Sequence, residues 1–131
     1  DLTQNYNGNS ANYNQDTDWY PGDAYCDMIA RDLYGYTAAQ NAQEFTEIQA
    51  TYPNKMVVLG ECGWDSSNQT GKPQGDIVEC WNAGAKWGHF MVWCDGSAGN
   101  KSGTMVSDAW WTSAMKKENT GIVVNRSLVK Y

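Results

Sequence analysis

The stretch Lys55–Glu61 has the sequence KMVVLGE, and it decides the fold. Its near-continuous apolar run is typical of a strand covered on both faces, as in a parallel sheet. A helical pattern precedes it over Thr37–Tyr52, where apolar side chains recur at steps of three and four residues. Thr37 and Gln40 have the spacing of a capping box at the start of that helix. A helix running directly into a buried strand predicts an α/β protein.

The same alternation extends to both sides of this stretch. The sequence predicts further strands over Tyr25–Tyr34 and Gly88–Cys94, a helix beginning at Asp76, and a helix from Ser107 or Asp108 to about Asn119. The tail after residue 120 is ambiguous, with a short strand-like run at 122–124. Three strand–helix units in order predict parallel strands joined by crossovers, either doubly wound or in a barrel. No glycine-rich nucleotide motif is present, which argues against a nucleotide-binding sheet.

Composition excludes several classes of protein. The chain has 131 residues, the size of one domain or of a part of one, and a formal net charge of −6. Such acidity disfavours nucleic acid and anionic lipid as partners. The sequence has no apolar run of about 20 residues that could span a membrane. Seven Trp and eight Tyr indicate either a packed aromatic core or flat platforms for sugars.

Four cysteines, at positions 26, 62, 80 and 94, lack the paired spacing of a zinc site. They leave open three fully paired connectivities or free buried thiols, and neither a metal nor a cofactor is indicated. Three Asn-x-Ser/Thr sequons, at positions 68, 100 and 125, matter only in a eukaryotic secretory route. Residues 1–18 are polar and Asn-rich, which predicts a surface loop or the region of a chain break.

In parallel α/β folds the functional residues collect at the carboxyl ends of the strands. The predicted strands end in Asp32-Leu-Tyr34, in Gly60-Glu61-Cys-Gly-Trp64 and in Trp93-Cys-Asp95, so each end combines a carboxylate with an aromatic residue. A Glu that closes an apolar strand between glycines favours catalysis over a buried ion pair. The single histidine, His89, begins its strand and is interpreted as structural.

Carboxylates beside aromatic platforms fit glycoside hydrolysis, in which one acid attacks or stabilises the anomeric carbon and another protonates the leaving oxygen. The sequence has no Gly-x-Ser-x-Gly elbow, and neither a Ser nor a Cys stands in a nucleophile pattern with His89.

Three segments resemble glycoside hydrolase family 26. WYPGDAYCD at 19–27 with DLY at 32–34 is similar to the family's sixth strand, VVLGECG at 57–63 to its seventh, and WGHFMVW at 87–93 to its eighth. The resemblance covers roughly residues 19–95. It implies a retaining endo-β-1,4-mannanase on a (β/α)8 barrel.

The resemblance also implies roles for individual residues. Glu61 would be the nucleophile, Tyr34 would hydrogen-bond its carboxylate, and Asp32 would support the same site. Trp93 would form the aromatic floor under a bound sugar. Trp64 would extend the cleft, an inference from its place after Glu61.

A (β/α)8 barrel needs about 250 residues, so residues 19–131 are expected to form its C-terminal portion, about the last three βα units. The family's acid/base lies on an earlier strand, and no Glu precedes Tyr34. We therefore expect an upstream segment, on the same or a separate polypeptide, to complete the barrel, and the isolated chain to be inactive. The expected substrates are mannan, glucomannan or galactomannan, met outside the cytoplasm by a secreted or envelope-associated enzyme.

Three alternatives remain open on the residues alone. Another retaining barrel glycosidase, acting on glucan or xylan, would share the nucleophile strand. A non-catalytic carbohydrate-binding module would use the same aromatics, but such modules are usually all-β. A small flavodoxin-like interaction domain would fold alone as a monomer and would tolerate Glu61→Gln.

Overall fold

The computed structural model describes residues 20–64, 74–93, 105–116 and 122–123. The described strands are β1 (Met28–Tyr34), β2 (Met56–Gly63) and β3 (Phe90–Val92), and the helices are α1 (Ala38–Thr51), α2 (Ile77–Ala83) and α3 (Asp108–Met115). Strand and helix alternate along the chain, which confirms the predicted order. The predicted polar segment 1–18, Cys94, Asp95 and all three sequons lie outside the described residues.

The three strands form one sheet in the order β1-β2-β3. Both pairs of neighbours are parallel, as the apolar character of Lys55–Glu61 predicts. The carboxyl ends of all three strands therefore meet at one edge of the sheet.

Each helix begins at a side-chain cap. The hydroxyl of Thr37 accepts the amide of Gln40 at 3.3 Å, and the Gln40 side chain accepts the amide of Thr37 at 3.0 Å, which completes the predicted capping box. Asp76 accepts the amides of Val78 and Glu79 at the start of α2. Ser107 accepts an amide of the first turn of α3. These contacts satisfy amides that have no partner within the helix.

The helices cover one face of the sheet, and the core lies between them. Ile29 and Leu33 from β1 and Leu59 from β2 are at most 2% exposed there. The core includes two indoles: the Trp87 ring meets Phe45 edge-on at 5.2 Å between centroids, and Trp110 is likewise buried. We call this side the helix-covered face.

The opposite side, here the open face, carries apolar side chains that remain accessible. Met28, Met56 and Met91 are 53%, 55% and 42% exposed. None of the described helices is long and apolar enough to cross a membrane.

Several boundaries differ from those the sequence predicts. β1 begins at Met28 rather than Tyr25, because the amide of Tyr25 closes a turn on the carbonyl of Gly22 at 3.0 Å. β3 is shorter than Gly88–Cys94. α3 ends at Met115, before residues that lie outside the described ranges. Ile122 and Val123 are not in a strand.

Candidate active site

The carboxyl edge of the sheet brings together three of the residues singled out in the sequence. Asp32 and Tyr34 lie on β1, and Glu61 lies beside them on β2. The site depends on which face of the sheet the Glu61 side chain occupies, and an irregularity in β2 decides that.

β2 carries one residue more than β1 at this point. Arg31 pairs with Leu59, but the next residue of β1, Asp32, pairs with Glu61, so Gly60 is the extra residue. This is the register of a β-bulge, which bends a strand and re-aims the side chains that follow. β3 records the same insertion, because two steps from Phe90 correspond to three steps from Leu59.

The bulge decides which face Glu61 occupies. Successive side chains of a strand alternate between faces. In an uninterrupted β2, Glu61 would pair with Leu33 and face the helices. The extra residue gives it Asp32 as its partner and leaves the pairing of Leu33 to Cys62. Cys62 returns to the buried core at 0% exposure.

On the open face the Tyr34 hydroxyl donates a hydrogen bond to Oε2 of Glu61 at 2.6 Å. Burial, and next the hydrogen bond and charge of Glu61, raise the pKa of Tyr34 well above its usual range. The hydroxyl therefore stays protonated and remains a donor. A single donor on one carboxylate oxygen fixes the rotation of the carboxylate.

Gly60 leaves a slot beside this pair. A Cβ on Gly60 would stand 2.8 Å from Oδ1 of Asp32 and 3.1 Å from Cβ of Ala30. The Asp32 carboxylate therefore packs against the glycine backbone. The sequence predicts a site role for Asp32 but does not single out Gly60, whose signal is a glycine directly before the carboxylate at the end of an apolar strand.

The two predicted sugar platforms lie at the same edge. Trp93 follows β3, is 39% exposed, and donates its amide to the carbonyl of Cys62 at 3.0 Å. Trp64 follows β2 and donates its amide to the carbonyl of Met105 at 3.0 Å. Met105, which the sequence did not single out, also packs on Gly63. A sugar-binding role for either indole stays a prediction.

At the opposite, amino edge of the sheet the side chains make packing contacts and hydrogen bonds with one another. The Tyr20 ring packs against Tyr52 at a tilt of 55°, with centroids 4.7 Å apart. Its hydroxyl donates to Asp23, while the Lys55 ammonium donates to the Asp23 carbonyl at 2.8 Å. The backbone carbonyl of His89 accepts the amide of Leu59 at 2.9 Å, and a structural role for its side chain stays a prediction. Tyr20 and Asp23, from the first resembling segment, thus pack at the amino edge.

The cysteines and the possible metal-ligating side chains do not form a second functional site in the described ranges. Cys26, Cys62 and Cys80 are free thiols, and Cys94 lies outside those ranges. Burial raises the pKa of both Cys62 and Cys80 to about 12, which keeps them protonated and unreactive. Within the same ranges no three His, Cys, Asp or Glu side chains are grouped so as to hold a metal ion.

Comparison with known proteins places this chain in a family. The model of glycosyl hydrolase family 26 matches residues 3–116. The GH26 domain of an endo-β-mannanase/endo-β-glucanase from Prevotella bryantii superposes with a TM-score of 0.77 at 44% identity, over 98% of this chain and 34% of that one. A larger structure of the two-activity Prevotella bryantii protein gives a TM-score of 0.76 at 45% identity, over 97% of this chain and 16% of that one. No curated protein matches the chain.

Proposed function

The chain belongs to glycosyl hydrolase family 26, and we propose that it supplies the nucleophile half of a retaining endo-β-1,4-mannanase. The observation that carries the proposal is the Glu61 carboxylate, held by the Tyr34 hydroxyl at 2.6 Å on the open face of the sheet, at its carboxyl edge. A carboxylate fixed through one oxygen leaves the other oxygen to attack.

In the first step Oε1 of Glu61 attacks the anomeric carbon, and the bond from that carbon to the glycosidic oxygen breaks. An acid from another part of the protein protonates the leaving oxygen. In the second step the same group takes a proton from water, the water oxygen bonds to the anomeric carbon, and Glu61 leaves as a carboxylate. Two inversions give net retention.

The acid/base residue is proposed to come from an upstream segment that completes a (β/α)8 barrel, with residues 19–131 as its C-terminal portion. The chain spans 34% of the similar GH26 domain. The exposed methionines of the open face support this, since apolar side chains on the inner side of a barrel are covered by its remaining strands. The chain by itself is proposed to be inactive.

Mannan, glucomannan or galactomannan is the proposed substrate, with Trp93 under one sugar ring and Trp64 extending the cleft. Glucan is the second candidate, because the similar Prevotella bryantii protein is described as both a mannanase and a glucanase. Polymeric substrates of this kind do not cross membranes, so we place the enzyme outside the cytoplasm.

The test uses the complete domain that contains this chain. Glu61→Ala should abolish mannan hydrolysis, because the attacking oxygen is lost, while Glu47→Ala on the exposed side of α1 should keep wild-type turnover. With an activated aryl β-mannobioside, added azide should rescue Glu61→Ala and yield the α-mannosyl azide, since azide enters on the face that the carboxylate vacates. Full hydrolysis by Glu61→Ala, or a β-azide product, would disprove the assignment of the nucleophile.

A further inference from the structure

Gly60 occupies the one position at which β2 departs from regular pairing with β1, and a Cβ added to it would meet Oδ1 of Asp32. We propose that Gly60 is a positioning residue of the site. Its bulge turns Glu61 onto the open face, and the absence of a side chain on Gly60 leaves room for the Asp32 carboxylate beside Glu61. The inference rests on the proposed function, and it concerns a residue that acts through another.

The steric argument is specific to the Asp32 side chain. Ordinary contacts between carbon and oxygen are about 3.3 Å or longer, whereas a Cβ on Gly60 would stand 2.8 Å from Oδ1 of Asp32. The carboxylate would have to retreat by about 0.5 Å. The strand itself has little room to shift the other way, because Cβ of Ala30 lies only 3.1 Å from the same point.

Backbone strain does not explain the glycine. The described glycines with positive φ are Gly22, Gly35, Gly63 and Gly84, and Gly60 is not one of them. An L-residue can therefore adopt the backbone of the bulge. The need for glycine here comes from the neighbouring carboxylate.

The experiment is a double-mutant cycle in the complete domain, read as kcat/KM on an activated aryl mannobioside. Gly60→Ala should lower kcat/KM about tenfold, since a misplacement of about 1 Å at a reacting centre costs about a hundredfold. In an Asp32→Ala background the same change should cost less than about twofold, because the crowded oxygen is gone. In an Asp32→Asn background the penalty should persist, because the amide keeps the shape of the carboxylate.

Gly88→Ala is the matched control. Its Cβ would also stand 2.8 Å from a side-chain atom, Cγ of Met56, but at the amino edge of the sheet. A methionine side chain is flexible enough to move away, so kcat/KM should stay within about twofold of wild type.

An equal Gly60→Ala penalty in the wild-type and Asp32→Ala backgrounds would overturn the inference, as would wild-type activity of Gly60→Ala. If Gly60→Ala fails to fold, the double variant with Asp32→Ala decides. A double variant that folds and has the activity of Asp32→Ala supports the inference. A double variant that loses a further tenfold in kcat/KM, or that fails to fold, overturns it. Failure of the proposed function looks different, because Glu61→Ala would then retain activity.

Discussion

Replacing Tyr34 by Phe removes one atom from the site and keeps the ring. The lost hydroxyl donates to Oε2 of Glu61 at 2.6 Å, and the carboxylate must hold that rotation when it attacks. Without the donor the Glu61 carboxylate is no longer held in the attacking orientation. Orienting it then costs at most the free energy of a hydrogen bond to a charged group, about 1.5–3 kcal/mol. That cost corresponds to a fall of about 10- to 150-fold in kcat/KM.

The assay is the initial rate of hydrolysis of a soluble mannan and of an activated aryl mannobioside by the complete domain. Tyr25→Phe removes the same atom from a tyrosine that is 83% exposed and precedes β1 at the opposite edge, so it should keep the wild-type rate. Both variants should melt cooperatively. Because the pKa of Tyr34 is raised by burial and by Glu61, the wild-type rate should show no loss from phenol ionisation near pH 10.

A Tyr34→Phe rate within about threefold of wild type, measured beside an inactive Glu61→Ala, would refute the positioning role of the hydroxyl. The same result with an active Glu61→Ala would refute the nucleophile as well.

Two further predictions concern stability. Thr37→Ala removes half of the capping box of α1 and should lower the free energy of unfolding by about 1 kcal/mol; unchanged urea denaturation would contradict this. Burial raises the pKa of Cys62 and Cys80 to about 12, above the value near 8.5 of an unfolded thiol. The unfolded state then loses these thiol protons at a lower pH than the folded state does. The two thiols therefore contribute their full stabilisation of the folded state below about pH 8.5, and this contribution is lost as the pH rises towards about 12. A variant with Ala at both positions should lose less stability between about pH 8 and about pH 10.5, and an equal loss would contradict the assignment.

The helix caps and the order of elements could be predicted because both depend on local signals. Thr37 and Gln40 satisfy each other's amides within one turn, and a four-residue apolar run is legible without knowing its neighbours. The meeting of Asp32, Tyr34 and Glu61 followed from one further step, since parallel strands bring their carboxyl ends to one edge.

The predicted start of β1 at Tyr25 was wrong because the turn before the strand depends on contacts that the local sequence pattern does not show. The Tyr25 amide is taken by Gly22, and Lys55 from the start of β2 fixes the Asp23 carbonyl. Asn41 is fully buried for a similar reason: its amide nitrogen donates to the carbonyls of Tyr36 and Thr37 at 3.2 and 3.0 Å. A polar residue with such partners is compatible with a core.

The placement of Glu61 shows what strand periodicity cannot supply. Counted from Val57 and Leu59, which face the helices, a strict two-residue period puts Glu61 on the same buried face. A carboxylate buried there without a partner would cost several kcal/mol. The conflict disappears only if β2 gains a residue between Leu59 and Glu61, and the register with β1 shows that it does. Gly60 is the one residue between them. A polar residue out of phase with an apolar strand, preceded by glycine, is therefore a signal of a bulge that turns a functional side chain away from the core.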